Sequence, residues 1–180
     1  GSFGEQMKKD ENFDASQRID LKLLENSTHY LYGELCDENI ASAIEWVLYE
    51  SLIAKEEKIL TLYINSIGGD LYNAFALIDI MKASGLTIRT VGIGAVMSSA
   101  FLIFASGSRG YRLASNNASF MSHQYSDSLS GKHHDLKATM KDGELLNKRM
   151  IGLLKDATGL PIAKVKAKLL PPTDVYLTAQ

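Results

Sequence analysis

Ile59-Leu-Thr-Leu-Tyr-Ile-Asn-Ser-Ile-Gly-Gly69 runs straight into Asp70-Leu-Tyr-Asn-Ala-Phe-Ala-Leu-Ile-Asp-Ile-Met-Lys-Ala83. The first half, Ile59 to Ile64, is apolar and β-prone and reads as a buried strand. Asn65-Ser-Ile-Gly-Gly69 is a turn signal. Leu71, Phe75, Ile78 and Met81 then recur at helical spacing, so a helix runs over Leu71 to Ala83. Gly85 stops it at the position after the C-cap. A strand, a glycine turn and a helix in direct succession form half of a βαβ unit.

The same alternation extends in both directions. Upstream, His29 to Gly33 is a first strand, and Asp37 to Lys55 is a helix carrying Ile40, Ile44, Val47, Leu48 and Leu52 on one face. Asp37 or Glu38 suits its N-terminus. Downstream come a strand over Leu86 to Ile93, an apolar helix from about Ser98 to Ala105, and short strands at Tyr111-Arg-Leu and Ala118 to Ser122. The order β-α-β-α-β-α-β predicts an α/β fold with a largely parallel sheet and right-handed crossovers. From His133 to Thr158 the pattern is one long helix, with Leu136, Met140, Gly143, Leu146, Met150, Leu153 and Ala157 as its apolar stripe. At 1.5 Å per residue it is about 39 Å long, which outreaches a domain of this size. The stripe is therefore expected to protrude and meet another subunit as well as its own core.

The chain has 180 residues, enough for one domain. Residues 1–18 are charged with little to bury and are expected to be a flexible N-terminal segment, leaving 19–180 as the folded domain. Formal net charge is −2, which gives no electrostatic reason to expect nucleic acid or an anionic membrane as partner. The polar start lacks the apolar core of a secretory signal, and no apolar run reaches membrane-spanning length. Cys36 is the single cysteine, so an internal disulfide and a multi-cysteine zinc site are excluded; its simplest role is that of a small buried hydrophobe. No metal is expected. His133 and His134 are adjacent on a helix and point about 100° apart, which suits a solvated helix start better than a shared ion.

Four places carry chemistry. Gly68-Gly69 lets the backbone approach a ligand closely where a helix begins, a setting that favours an anion, although a tight turn alone would also need these glycines. Ser98 and Ser99 stand at a strand-to-helix junction among small residues. Either can present a hydroxyl there or simply cap the helix, and chemistry alone does not choose between them. His123 ends a β-prone segment, and a serine nucleophile needs such a base. Asp174 precedes an apolar β-prone stretch, where a carboxylate could orient an imidazole or serve as a turn residue after Pro171-Pro172.

Together these pieces resemble a known family. Tyr63-Ile-Asn-Ser-Ile-Gly-Gly69, Gly94-Ala-Val-Met-Ser-Ser99, Met121-Ser-His-Gln124, Thr158-Gly159 and Asp174-Val-Tyr-Leu-Thr-Ala179 are similar to motifs of the ClpP family, the proteolytic subunits of Clp proteases. Their order and spacing match as well, over about residues 18–180. The resemblance implies the ClpP/crotonase-like superhelix of β-β-α units with 133–158 as its protruding handle helix. It implies a serine endopeptidase that degrades unfolded polypeptides and peptides. Ser98 falls on the nucleophile, His123 on the general base and acid, and Asp174 on the residue that orients it. The backbone N–H groups of Gly69 and Ser99 fall on the oxyanion hole. The resemblance also implies two stacked heptameric rings and a cytoplasmic setting, with an organelle stroma or a phage-infected host as variants. The subunit needs no cofactor; ATP enters only through a partner AAA+ unfoldase. Departures from the family pattern are Ile67 in place of proline, Met97 and Ser99 beside the nucleophile, and Tyr125 after His-Gln. Other readings fit less well. A ring subunit without activity would not need all three triad positions filled. A crotonase-like acyl-CoA enzyme would not need Ser98 and His123 together. A lysine-based peptidase finds no motif around Lys82 or Lys137. A dinucleotide fold from Gly92-Ile-Gly94 fails at Met97, where the third glycine belongs.

Overall fold

The computed structural model describes residues 12–123, 133–170 and 175–177. Helix α1 (Ala15–Glu25) leads into strand β1 (Thr28–Tyr32), followed by α2 (Asp37–Ile53), β2 (Ile59–Ser66), α3 (Leu71–Ala83), β3 (Thr87–Met97) and α4 (Ser99–Ala105). Two short strands, β4 (Arg112–Ala114) and β5 (Ser119–Ser122), precede the long helix α5 (His133–Thr158), α6 (Ile162–Lys168) and β6 (Val175–Leu177). The strands form one sheet in the order β1-β2-β3-β5-β6, with β4 as a side branch on β3. All pairings are parallel except β5 with β6. This is the α/β fold with a largely parallel sheet that the alternation of elements predicts.

Strand β2 is buried along one face and, on the other, only at Thr61. Leu60, Leu62 and Ile64 have no accessible surface, whereas Ile59 and Tyr63 on the other face are exposed. Leu60, Leu62 and Ile64 belong to one hydrophobic cluster with Ala43 and Val47 of α2 and Ala74, Leu77 and Ile78 of α3, all almost wholly enclosed. Each such Leu, Ile or Val side chain stabilises the fold by about 1.5–3 kcal/mol. Helix α4 differs in being apolar on every side; Ala100, Phe101, Leu102, Ile103 and Ala105 are all buried. It lies at the centre, against β2, β3, β5 and α5.

Strand β3 runs further than its glycines suggest, to Met97 rather than Ile93. Its register with β2 shifts between Ile64 and Ser66, which pair with Gly92 and Val96. The extra residues form a bulge at Gly94, whose φ of 61° suits glycine. The Asn65 side chain fills the bulge: its Oδ1 accepts from the Ala95 N–H at 3.2 Å, and its Nδ2 donates to the Tyr30 hydroxyl at 3.0 Å. A Cβ on Gly94 would stand 2.5 Å from that Oδ1. Before the bulge β3 pairs with β4, at Thr90 to Gly92; beyond it β3 pairs with β5, at Ala95 to Met97. The strand changes neighbours where it bends.

Several details depart from the sequence reading. Helix α1 begins at Ala15, inside the segment expected to be flexible. Asp14 accepts from the Gln17 N–H at 2.8 Å while the Gln17 side chain accepts from the Asp14 N–H at 3.0 Å, a reciprocal capping box. Cys36 is half-buried, not a core residue. It precedes α2, its N–H donating to Asn39 Oδ1 at 2.9 Å, and Asp37 and Glu38 occupy the first helical turn as expected. In α5, Leu146, Met150, Leu153 and Leu154 are buried, so the second half of this helix belongs to the subunit's own core. The expected contact of the stripe with another subunit falls on 133–142, whose side chains lie outside the described set.

Candidate functional site

Strands β2, β3 and β5 are adjacent and parallel, so their C-terminal ends open on the same edge of the sheet. In open α/β sheets that edge is where ligands bind. The residues leaving these ends are Gly68-Gly69 after β2, Ser98 after β3 and His123 after β5. Met97 pairs with Met121, and the Ser98 N–H donates to the Met121 carbonyl at 2.9 Å. This pairing brings together a serine and a histidine that are 25 positions apart in sequence. A cavity of about 120 Å3 lies between them, lined by Gly69, Leu71, Ser98, Ser99, Leu102, Ser122, His123 and Met150.

Ser98 has φ 58° and ψ −128°. Ser27 and Ser98 are the two non-glycine residues with positive φ among the described residues. Such a conformation costs about 1–3 kcal/mol and persists only where its surroundings impose it. Here the imposing elements are β3, held on both sides, and the buried helix α4 that starts at the next residue. The sharp strand-to-helix turn keeps the Ser98 hydroxyl at the cavity wall. Gly68 accommodates it: a Cβ there would lie 2.8 Å from the Met97 carbonyl oxygen and 2.8 Å from Ser98 Cβ.

The glycine turn is stitched to the chain after β1. The Leu35 N–H donates to the Gly68 carbonyl at 2.9 Å, and Leu35 and Gly69 form a parallel bridge. A Cβ on Gly69 would stand 2.4 Å from the Leu35 carbonyl oxygen, so glycine is required there. The Gly68 N–H donates to Ser66 Oγ at 3.1 Å. The Gly69 N–H donates to Ser99 Oγ at 3.0 Å, and the same hydroxyl donates to the Gly69 carbonyl at 3.1 Å. Ser99 is buried.

The His123 side is held by Ser122, a buried residue whose hydroxyl donates to the Leu169 carbonyl beyond α6. Strand β6 pairs antiparallel with β5, its first residue Val175 opposite Ser122. Asp174 itself lies outside the described residues, as do Gln124 to Lys132. The structure thus gathers Gly69, Ser98, Ser99 and His123 of the residues singled out in the sequence around one cavity. It adds Leu71, Leu102, Ser122 and Met150. Leu71 and Met150 were legible only as apolar helix positions, and nothing marked Ser122 apart from its place beside His123. Among the described residues no three His, Cys, Asp or Glu side chains cluster as a metal site, and no helix is long and apolar enough to cross a membrane.

A mainly parallel sheet backed by helices, with a strained serine, a histidine and a glycine turn on its carboxyl edge, defines the ClpP-type class of α/β fold. The Clp protease family model matches residues 9–180, and the chain belongs to that family. It is 30% identical over 148 residues to the ATP-dependent Clp protease proteolytic subunit 2 of Thermobifida fusca (strain YX), a match covering 82% of this chain and 72% of the relative.

Proposed function

We propose that the chain is a serine endopeptidase subunit that cleaves unfolded polypeptides and peptides by acyl transfer. The observation that carries this reading is the strained turn at Ser98, facing a cavity whose lining includes both His123 and Gly69. Ser98 Oγ attacks the scissile carbonyl carbon and its proton passes to His123. The carbonyl oxygen becomes an oxyanion bound by the N–H groups of Gly69 and Ser99. Collapse breaks the C–N bond, and His123 returns the proton to the leaving amine. Water, deprotonated by the same histidine, then releases the acyl group and restores Ser98. One oxyanion donor contributes about 2.7–4 kcal/mol to lowering the barrier. Asp174 orients His123, a role supported by β6 starting at the residue after it and pairing beside His123.

Family membership supports ring assembly. Two stacked heptameric rings enclosing the sites, fed by an AAA+ unfoldase that alone uses ATP, fit this reading, as does a cytoplasmic or organelle-stroma setting. The test is labelling by a fluorophosphonate, with the size of the labelled species read by gel filtration. A large labelled ring is expected, with labelling abolished in Ser98→Ala and reduced on the order of 10^4-fold in His123→Ala. An assembled wild-type ring that takes no label would identify a structural ring subunit instead.

A further inference from the structure

The two hydrogen bonds between the Ser99 side chain and the Gly69 peptide have no part in the acyl-transfer scheme. One of them nevertheless engages the N–H that the scheme assigns to the oxyanion. An N–H has one hydrogen, and in this structure the Ser99 hydroxyl accepts it at 3.0 Å. The same hydroxyl is anchored by donating to the Gly69 carbonyl at 3.1 Å, and its burial keeps bulk water from replacing it. Ser99 is also the residue directly after Ser98, and the first turn of the buried helix α4 fixes its Cβ beside the Gly69 turn. The Gly69 turn is equally constrained, through its bridge to Leu35.

We infer that Ser99 is a positioning residue whose hydroxyl masks the Gly69 oxyanion donor in the resting enzyme. The inference rests on the reading of Ser98 as nucleophile. When Ser98 attacks, the developing oxyanion displaces the hydroxyl as acceptor, because hydrogen bonds to an ionised acceptor are roughly twice as strong as neutral ones. The hydroxyl keeps its donor bond to the Gly69 carbonyl and is held ready to close the site again. The mask leaves ground-state binding untouched and slows the step in which charge develops. A substrate that forms a well-placed oxyanion overcomes it, whereas a poorly aligned one does not, so the device favours correctly seated peptide bonds.

The test compares the assembled wild type with Ser99→Ala and Ser99→Thr. Fluorophosphonate labelling of Ser98, whose phosphoryl oxygen enters the oxyanion site, is followed beside hydrogen–deuterium exchange of the peptide spanning Ser66 to Asp70. Losing one neutral hydrogen bond to the donor should speed labelling of Ser99→Ala by about three- to tenfold. Exchange at Gly69 should rise, and Ser99→Thr, which keeps the hydroxyl, should return both towards wild type. Slower or unchanged labelling of a folded Ser99→Ala overturns the mask and makes the contact a simple brace. Equal exchange in wild type and Ser99→Ala overturns the clasp whether or not either protein labels. Raised exchange with no labelling of any protein supports the clasp and sinks the assignment of Ser98 as nucleophile, which separates the two failures.

Discussion

Ser27 and Ser98 share a positive φ that serine rarely adopts, 52° and 58°. Their surroundings differ in every other respect. Ser27 joins α1 to β1 and is buried. Its N–H donates to the Leu24 carbonyl at 3.0 Å, its carbonyl accepts from the Thr61 N–H at 2.9 Å, and its hydroxyl lies 3.4 Å from Glu50 Oε2. Glu50 has no accessible surface and pairs with Lys58 at 2.6 Å. Every polar group of Ser27 is thus engaged within the fold. Ser98 has its backbone fixed just as firmly, through Met121 and α4, yet its side chain borders a cavity with a histidine across from it. Strain by itself marks a junction that its neighbours over-determine. Strain beside open space and a histidine is the setting that the proposed nucleophile requires.

Replacing each serine with glycine separates these two kinds of strain most sharply. Both variants should fold, because glycine accepts positive φ without steric cost. Ser98→Gly should lose labelling entirely. Ser27→Gly should label at the wild-type rate and keep its stability within about 1 kcal/mol, the relief of strain offsetting the lost contact to Glu50. A Ser27→Gly protein that folds but does not label would break the comparison, since it would tie the α1–β1 junction to activity.

The anchor beneath Ser27 can be cut as well. Lys58→Met leaves the Glu50 carboxylate buried without its cation. The expected cost is about 3 kcal/mol in urea unfolding, at the lower end for a broken buried pair because Lys58 is a third exposed. Labelling of the protein that remains folded should not change. The smallest expected effect belongs to His29, the residue after Thr28 in β1. It stacks on Trp46 with ring centroids 5.2 Å apart, and burial holds its imidazole below the usual value. The unfolded chain therefore binds the proton more readily than the folded one. Stability should be complete above about pH 6.5 and decline as pH falls from there towards the folded value. Thermal melts over that range should slope less in His29→Gln.

Much of this arrangement was legible in the sequence, for reasons tied to particular residues. The run from Ile59 to Ala83 encodes its strand, turn and helix locally, in alternation, paired glycines and a helical stripe. Ser98 and His123 stood out because each ends a recognisable element. Helix α1 did not, since it opens within the polar, charged N-terminal stretch, although Asp14 and Gln17 carry the spacing of a capping box. The true end of β3 was hidden because Gly92 and Gly94 resemble a stop, and only Asn65 from the neighbouring strand lets the chain continue. The clasp between Ser99 and Gly69 spans 30 positions, and no local pattern records it. Local chemistry was readable, while contacts that depend on how strands lie side by side were not.

The branching of β3 has a consequence in time. Its first half joins a partnership with β2, and only its last residues, past the bulge, meet β5 and carry Ser98 towards His123. The cavity between them also needs Met150, from a helix formed by residues made later. Contacts distant in sequence close late, because the loops between them must first be ordered. A chain still emerging from the ribosome thus holds its hydroxyl and its imidazole on unjoined pieces. On the function proposed above, the site is assembled only as the molecule completes itself, and an unfinished copy lacks the paired hydroxyl and imidazole.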